Sequence, residues 1–313
     1  MALVGVLRPG HAQLRVMDLD AAVHHYRDIM GLQEMGRDAQ GRVYLKCWDE
    51  VDHHSIILNP ADSAGVDFIG YKVLDKATLD KFEADLQAYG VKTERLPAGD
   101  LLETGERVRF QAPSGHFFEL YAEKAVAEGG NGCGLVDPAP WSPASQRGIA
   151  PVRFDHCLLY GTHVAETHKL FVEVLGFHLT ERVLSPEGDR NLIVFLSCSG
   201  KSHDIALADY PEPGKLHHLS FLMGSWEQVL RGGDIMAMNK VPVDIGPTRH
   251  GVTRGKTIYA WDPSGNRFEI FNEDRHPYPD HEPVTWTFAG MGDGGGLDYV
   301  QRKLHETFLT VVT

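Results

Sequence analysis

Residues 248–271 have the sequence TRHGVTRGKTIYAWDPSGNRFEIF, and this stretch decides the fold prediction. A short apolar and aromatic run at 258–261 and an alternating polar and apolar run at 267–271 lie on either side of DPSGN. Asp, Pro, Ser, Gly and Asn are the residues typical of tight turns. The pattern therefore predicts a β-hairpin, and the rest of the chain can be interpreted from it.

The second strand of this hairpin has two different faces. Side chains alternate along a strand, so Phe268 and Ile270 share one face while Arg267, Glu269 and Phe271 share the other. If Phe268 and Ile270 face the core, Glu269 is the carboxylate of the opposite face. A glutamate on a strand is most often a solvated surface residue. A functional role for Glu269 needs partners elsewhere in the chain.

Length, composition and charge limit the class of protein. The 313 residues, of which 42% are hydrophobic, suit a globular protein with two domains of ordinary size. A formal net charge of −13 argues against nucleic acid and anionic membranes as partners, because both would be repelled. No apolar run approaches membrane-spanning length and the N-terminus lacks a signal-peptide pattern, so we expect a cytoplasmic protein.

The cysteines do not form a recognisable metal-binding or disulfide pattern. Cys47, Cys133, Cys157 and Cys198 are scattered without CxxC spacing. Reduced thiols fit this distribution better than a disulfide framework or a zinc knuckle.

The chain contains an internal repeat. Residues 10–37 predict a strand, a helix capped by Asp18 and a glycine stop, and residues 154–182 repeat this order. The tripeptide PSG recurs at 113–115 and 263–265, each time between two predicted strands. The chain is therefore predicted to be a tandem duplication of a domain built from two β-α-β-β-β modules, which is an α+β fold.

Domain boundaries follow from the repeat and from composition. We expect an N-terminal two-module domain at 1–127 and a C-terminal two-module domain at 148–290. Residues 128–147 are rich in Gly and Pro without periodicity and predict a linker. The remaining residues, 291–313, form a predicted tail.

The tail is predicted to contain a helix. Val300, Leu304 and Phe308 recur at a spacing of four residues and give residues 297–309 an apolar stripe. So short a helix is marginal alone, so we expect it to dock on the C-terminal domain.

The two halves of the chain differ at three positions that can bind a metal. The predicted correspondences are His156 with His11, His218 with Gly70, and Glu269 with Glu119. A structural role would be needed equally in both halves, whereas a metal role needs all three side chains only where metal binds. The asymmetry predicts a metal site in the C-terminal half and a vacant copy in the N-terminal half.

The spacing of these residues places them on three different strands, which a curved sheet can bring together on its concave face. Two imidazoles and one carboxylate on one face of an octahedron leave three positions open, as in non-haem Fe(II) oxygenases. Neighbouring residues on a strand point in opposite directions, so His217 and His218 are alternatives as the second ligand. The residue pattern alone leaves this choice open.

Several motifs resemble those of one enzyme family. Thr248, Arg249 and His250, followed by Ile258-Tyr259, Asp262-Pro263, Gly265 and Glu269, are similar to the signature of extradiol ring-cleavage dioxygenases in the vicinal oxygen chelate superfamily. The segments KSHDIAL, KLHHLSF and IGPTRHG match the family as well, and the similarity extends to the tail sequence ETFLTVVT.

This resemblance implies a fold, a metal and an assembly. The fold would be four βαβββ modules in two tandem domains, each a curved mixed sheet that forms an open barrel. The metal would be Fe(II), with Mn(II) as the alternative, bound by His156, His218 and Glu269. The assembly would be a homotetramer.

The resemblance also implies an activity. Catechol would be cleaved with O2 to 2-hydroxymuconate semialdehyde in the degradation of aromatic compounds. No NAD, flavin or haem is required, and the sequence contains no GxGxxG or P-loop motif for a nucleotide.

Seven further residues have expected roles by resemblance. The catalytic residues would be His203, His250 and Tyr259, and the substrate-binding residues would be Phe195, Val252, Leu297 and Phe308. Phe195 and Val252 are equally consistent with ordinary core positions, and Leu297 and Phe308 with a helix that covers a sheet edge. His203 precedes Ile205 and Leu207, and we expect it on their face of a strand as a proton shuttle.

Three alternatives remain at this stage. The nearest is a related extradiol dioxygenase that acts on 2,3-dihydroxybiphenyl or homoprotocatechuate, since only the pocket would differ. A glyoxalase-type metal isomerase would share the modules and metal positions but would not need the additional His203. A metal-free binding protein of the superfamily would lack the three ligands. The sequence does not determine the preferred ring substituent. Five further histidines have no motif and are interpreted as surface or core residues: His24, His25, His53, His54 and His163.

Overall fold

The computed structural model describes residues 4–127, 146–273 and 275–313. These residues form two mixed β-sheets of eight and nine strands with a small number of helices. This α+β architecture confirms the predicted fold class. The domain boundaries stay a prediction, and most of the predicted linker, 128–145, lies outside the described residues.

The first sheet contains two β-α-β-β-β modules in succession. Its elements are β1 (Val6–Val16), α1 (Leu19–Val23), β2 (Gln33–Arg37), β3 (Val43–Lys46), β4 (Ile56–Pro60), β5 (Gly65–Val73), α2 (Lys76–Ala88), β6 (Thr93–Leu96), β7 (Arg107–Gln111) and β8 (Phe117–Tyr121). Helix α1 continues as a π-helical turn, His24–Ile29. The strand order is β2-β3-β4-β1-β5-β8-β7-β6, so the two modules meet between β1 and β5.

The second sheet repeats this plan and adds a short edge strand. Its elements are β9 (Arg153–Gly161), α3 (Val164–Glu173), β10 (His178–Leu184), β11 (Asn191–Ser197), β12 (Ile205–Asp209), β13 (Lys215–Leu222), α4 (Trp226–Met238), β14 (Val243–Arg249), β15 (Lys256–Trp261), β16 (Arg267–Asn272), β17 (Val284–Trp286), α5 (Phe288–Met291) and α6 (Glu306–Thr310). The order is β14-β15-β16-β13-β9-β12-β11-β10-β17.

Side-chain caps begin several of the helices. Asp18 accepts a hydrogen bond from the backbone N–H of Ala21 at the start of α1, as the sequence predicts. Asp75 and Ser225 cap α2 and α4 in the same way. These local bonds fix where each helix leaves the preceding strand.

The predicted hairpin is confirmed as β15 and β16, which pair in antiparallel orientation with Tyr259 opposite Glu269. Phe268 and Ile270 are buried in the main hydrophobic core. Glu269 points to the other face, where Phe271 accompanies it. The alternation of this strand therefore separates a structural face from the face of a cavity.

The main core is shared between the two sheets. The ring of Phe171 in α3 packs against Phe118 of β8 and Tyr71 of β5, with ring centroids 5.0 and 6.4 Å apart. The second half of the chain thus packs directly on the first. No helix in the described part of the chain combines the length and apolar character that a bilayer crossing requires.

The predicted helix at 297–309 is wrong, because α6 covers only Glu306–Thr310. Val300, which the apolar stripe included, is 64% exposed. The side chain of Asp298 accepts hydrogen bonds from the backbone N–H groups of Val300 and Gln301. Such local bonds offer the backbone an alternative to the helix, which explains the turn found there.

The strand register corrects one correspondence between the halves. Gly70 pairs with Glu119 in the first sheet, and Ser220 pairs with Glu269 in the second. Gly70 therefore corresponds to Ser220 and not to His218. The counterpart of His218 is Phe68, two residues earlier on β5.

Candidate metal centre and active site

A cavity opens on the side of the second sheet that carries Glu269. All ten residues singled out in the sequence line it: His156, Phe195, His203, His218, His250, Val252, Tyr259, Glu269, Leu297 and Phe308. The structure thus brings these residues together, and their individual roles stay predictions.

Three neighbouring strands supply the predicted metal ligands. His156 lies on β9, His218 on β13 and Glu269 on β16, and these strands are adjacent in the sheet. The Nε2 atoms of His156 and His218 are 3.2 and 3.4 Å from Oε2 of Glu269. All three residues are at most 3% exposed.

The three side chains fit a divalent cation. Their ligand atoms lie within 4.8 Å of one another. The buried Nε2 of His218 has no hydrogen-bond partner among the described residues, although Glu269 is near. An unpaired buried nitrogen that faces a carboxylate is expected for a metal ligand without its metal. Two imidazoles and a carboxylate are ligands that iron and manganese accept.

A β-bulge decides the orientation of the two adjacent histidines. The register between β9 and β13 shifts between Leu216 and His218, so His217 is the extra residue. His218 enters the cavity, while His217 donates its Nε2–H to the backbone carbonyl of Phe308 at 2.8 Å. The geometry therefore favours His218 as the ligand. Simple alternation does not hold here, because the bulge brings the two rings to a centroid distance of 4.9 Å.

Asp155 orients the first histidine. Its Oδ2 is 3.2 Å from Nδ1 of His156 and 3.2 Å from Nζ of Lys201. Burial alone raises the pKa of the Asp155 carboxyl, but Lys201 and His156 outweigh it and hold that pKa well below its usual range. The carboxylate thus keeps the Nδ1 proton on His156 and leaves Nε2 for a metal. Burial lowers the pKa of His156, but the carboxylates of Asp155 and Glu269 outweigh it and raise that pKa to about 9.

His250 and Tyr259 form a second pair of polar residues. Nδ1 of His250 contacts the carbonyl of Leu297, which can only accept a hydrogen bond, so Nδ1 carries the proton. Nε2 then accepts from the Tyr259 hydroxyl at 2.7 Å. Burial and the neighbouring Glu269 raise the pKa of Tyr259 well above its usual value. Tyr259 therefore remains a hydroxyl at neutral pH.

His203 lies against the three candidate metal ligands, His156, His218 and Glu269, which we call the metal triad. Its ring centroid is 3.9 Å from that of His156, and its Nδ1 is 3.0 Å from Oγ of Ser202. Burial lowers the pKa of His203 well below its usual value. The residue precedes β12 and does not share a face with Ile205 and Leu207, which lie in the main core. The predicted strand alternation is wrong at His203, because the chain is not yet extended there.

Sequence reasoning placed Phe271 on the face of Glu269 but missed six other residues of the cavity wall: Leu158, Ile193, Ala206, Thr253, Gly255 and Met291. Leu158 is two residues after His156 on β9, so alternation was a usable signal for it. Met291 ends the short helix α5, far from every motif. The sequence contains no signal that places Met291 beside the metal triad.

The polar residues of the cavity wall are the three candidate metal ligands, His203, His250, Thr253 and Tyr259. The rest of the wall is apolar, and none of its described residues is Lys or Arg. A second cavity lies beside it and shares the lining residues Ile193, Met291 and Phe308. The space next to the metal triad therefore suits an uncharged, largely apolar molecule better than an anionic one.

The N-terminal copy of the site contains arginine in place of open space. Arg107 Nε and Arg109 Nη2 lie 2.7 and 2.6 Å from the two carboxylate oxygens of Glu119. His11 is 3.7 Å from the same carboxylate, and the ring of Phe68 packs edge-on against His11. The two cations that balance the charge of Glu119 are therefore arginine side chains of the protein itself.

His54, which belongs to no motif in the sequence, corresponds to a residue of the second half of the chain. Ile56 pairs with Ala12 as Ile205 pairs with Cys157, so His54 occupies the position of His203. His54 is fully buried, as one of the two interpretations of the sequence had it. Its ring is 5.6 Å from that of His11, so the copy keeps the arrangement without the second metal ligand.

Family models match both halves of the chain. A Catechol 2,3-dioxygenase-like N-terminal domain matches residues 66–125, and the Glyoxalase/Bleomycin resistance protein/Dioxygenase superfamily matches residues 153–270. Metapyrocatechase of Pseudomonas sp. (strain CF600) is 52% identical over 99% of both chains. The chain belongs to the extradiol dioxygenases.

Other extradiol dioxygenases extend the comparison. The crystal structure of the 2,3-dioxygenase LapB from Pseudomonas sp. KL28 is 66% identical, covers 92% of this chain and 99% of its own, and superposes with a TM-score of 0.89. A manganese-dependent 2,3-dihydroxybiphenyl 1,2-dioxygenase of Geobacillus genomosp. 3 is 30% identical over 91% of both chains.

Proposed function

We propose that this extradiol dioxygenase cleaves catechol with O2 beside its two hydroxyl groups and forms 2-hydroxymuconate semialdehyde. The observation that supports it most strongly is one cavity in which the metal triad, His203 and the His250–Tyr259 pair surround an apolar space. The identity to metapyrocatechase over nearly the whole chain supports the same substrate.

Fe(II) is the proposed metal, held by His156, His218 and Glu269, and Mn(II) is the second candidate because one relative is named as manganese-dependent. When bound, the metal would supply Lewis-acid and electron-transfer chemistry between the catechol and O2. The ligand set does not discriminate strongly between the two ions.

His203 would move the protons of the reaction. Its Nδ1 is turned towards Ser202, which leaves Nε2 for the cavity. Burial keeps the imidazole neutral, so Nε2 can accept a proton from a catechol hydroxyl and later return it to an oxygen derived from O2. An imidazole is suited to both transfers because one ring nitrogen can accept a proton and release it again while the other keeps its hydrogen bond.

Tyr259 and His250 would position the substrate. The Tyr259 proton is directed to Nε2 of His250, so the Tyr259 oxygen presents its lone pairs to the cavity. A catechol hydroxyl can donate to this oxygen, which fixes the orientation of the ring. The hydrogen bond from His250 to the carbonyl of Leu297 holds the pair in place.

The wall residues would determine the substituent that the ring can carry. Phe195, Val252, Leu297 and Phe308 provide apolar surface, and no cation among the described wall residues could pair with a carboxylate. This supports catechol over homoprotocatechuate, which carries a carboxylate. A 2,3-dihydroxybiphenyl dioxygenase is the second candidate, because the neighbouring cavity offers space for another apolar group.

The test is oxygen consumption by the Fe(II)-loaded enzyme with catechol, 3-methylcatechol, 4-chlorocatechol, 2,3-dihydroxybiphenyl and homoprotocatechuate. We expect the highest kcat/KM for an uncharged catechol, together with absorbance from the ring-cleaved product. A clear preference for homoprotocatechuate, or full activity with zinc and no iron or manganese, would overturn the proposal.

The variant His203→Gln tests the proton transfer. Glutamine keeps the size and hydrogen bonding but cannot exchange a proton near neutral pH. We expect kcat to fall by about 10² to 10⁴, with metal content and KM for catechol near those of the wild type. Wild-type turnover would exclude the role, and loss of metal would show that His203 supports the metal site instead.

We also propose the homotetramer that the family resemblance implies. Light scattering should then give four times the chain mass of 34.7 kDa. A mass of one or two chains would contradict it.

A further inference from the structure

His217 lies between the metal triad and the C-terminal tail. It is fully buried, and its ring stacks on Tyr160 at 4.7 Å and meets Phe308 at 4.1 Å between centroids. Its Nε2 is 2.8 Å from the carbonyl of Phe308, and its Nδ1 is 2.7 Å from Nδ1 of His218. Both ring nitrogens therefore have a short contact, one to the tail and one to a proposed metal ligand.

The directions of these hydrogen bonds follow from the partners. A carbonyl oxygen can only accept, so Nε2 of His217 carries its proton. Nε2 of His218 faces Glu269, where the proposed metal would take its lone pair, so the ring proton of a neutral His218 is on Nδ1. Nδ1–H of His218 then donates to Nδ1 of His217 across the 2.7 Å contact.

We propose that His217 is a positioning residue that couples docking of the C-terminal tail to metal binding by His218. The inference rests on the proposed metal centre but not on the identity of the substrate. With the tail in place, the Phe308 carbonyl fixes the His217 proton, which in turn fixes the tautomer and orientation of His218. Histidine ligands in metalloproteins generally depend on such a partner at their second nitrogen.

The tail has further anchors to the same strands. Tyr160 donates to the Phe308 carbonyl at 2.9 Å, and Arg267 donates to the carbonyls of Thr307 and Val311 at 2.8 and 2.9 Å. The backbone groups of Leu216 and Thr313 exchange two hydrogen bonds next to the bulge. Docking of the tail therefore holds the carbonyl of Phe308 at a fixed distance from His217.

The vacant copy provides an internal comparison. It has the same bulge, because the register between β1 and β5 shifts where Asp67 is the extra residue of β5. The Asp67 carboxylate instead accepts hydrogen bonds from Gln13 and Arg15. A histidine at the bulge therefore accompanies the complete metal triad and is replaced where the triad is incomplete.

The first test measures the metal affinity of full-length protein in which His217 is substituted. Binding of Mn(II) and, without oxygen, of Fe(II) would be measured by competition with a chromophoric chelator. We expect His217→Phe to weaken binding about 10- to 100-fold, because His218 loses its acceptor. His217→Gln should recover most of the affinity, since its amide oxygen can accept from His218 and its NH2 group can donate to Phe308.

A matched control is His25→Phe, since His25 is another buried histidine whose ring packs on Phe268. Its metal affinity should equal that of the wild type. Equal affinity in the wild type and His217→Phe would overturn the proposal, and so would the same loss in the Phe and Gln variants.

Hydrogen exchange of the wild-type tail is the second test, and it needs no variant that has to fold. Coupling between two sites is reciprocal, so metal binding should slow amide exchange in α6 and at Thr313. Exchange that is the same with and without Mn(II) would refute the coupling. Neither experiment requires catalysis, so a failed substrate assignment and a failed coupling give different results.

Discussion

Replacing Glu119 in the vacant copy should destabilise the protein without removing its metal. The carboxylate lies between Arg107 and Arg109, and the Arg107 side chain is fully buried. Glu119→Gln keeps the shape of the side chain but removes the negative charge. Among the described residues, Arg107 would then retain the half-exposed Asp100 as its anionic partner.

The magnitude follows from the pKa of this carboxyl. Burial raises it, but His11 and the charges of Arg107 and Arg109 lower it from 4.5 to about 2. At about 1.4 kcal/mol for each pKa unit, the difference between the unfolded and folded pKa of Glu119 corresponds to about 3 kcal/mol of folding free energy. Because the folded pKa is depressed, this contribution is complete above pH 4.5 and is lost as the pH falls towards 2. Breaking a buried ion pair by removing one partner typically costs about 3–5 kcal/mol.

The assay is urea unfolding at pH 7 of chelator-treated protein, with metal content measured separately on loaded protein. We expect Glu119→Gln to unfold about 3 kcal/mol more easily and to keep the metal content of the wild type, whereas Glu269→Gln should lose most of its metal. Glu94→Gln, at an exposed position on β6, is the matched control and should change stability by less than about 0.5 kcal/mol. A stable Glu119→Gln variant, or one that lost metal, would refute the reasoning.

Two further substitutions test the cavity wall and the polar pair. Phe308→Ala removes a side chain that lines the cavity but keeps the backbone carbonyl that binds His217. The KM for catechol should therefore rise, while the metal affinity stays within about twofold of that of the wild type. Unchanged kinetics would show that Phe308 only covers the sheet. Tyr259→Phe removes the 2.7 Å hydrogen bond to His250 and the acceptor for a catechol hydroxyl, so kcat/KM should fall about 10- to 100-fold, equivalent to about 1.4–2.8 kcal/mol. Equal kcat/KM in Tyr259→Phe would exclude that contact.

The features that were predictable from sequence are those that depend on neighbouring residues. Period-2 alternation at 267–271 and the turn residues before it specified the hairpin, because both are local properties of the backbone. The helix cap at Asp18 was predictable for the same reason. The repeat then extended this local information to all four modules.

The errors arose where distant parts of the chain decide the structure. The apolar spacing of Val300 and Phe308 suggested a helix, but Asp298 binds the intervening backbone and the chain end pairs with Leu216. The correspondence of His218 with Gly70 was wrong by two residues, because a sequence without strand pairing gives no register. Met291 entered the site through tertiary packing alone.

The arginine-filled copy has a consequence for the relative stability of the two halves when metal is scarce. In the second half the charge of the buried Glu269 carboxylate would be balanced by the proposed metal ion, which a chelator can remove. In the first half the equivalent charge is balanced by Arg107 and Arg109, which cannot dissociate. We therefore expect removal of the proposed metal to loosen the strands around Glu269, while the strands around Glu119 keep their stability.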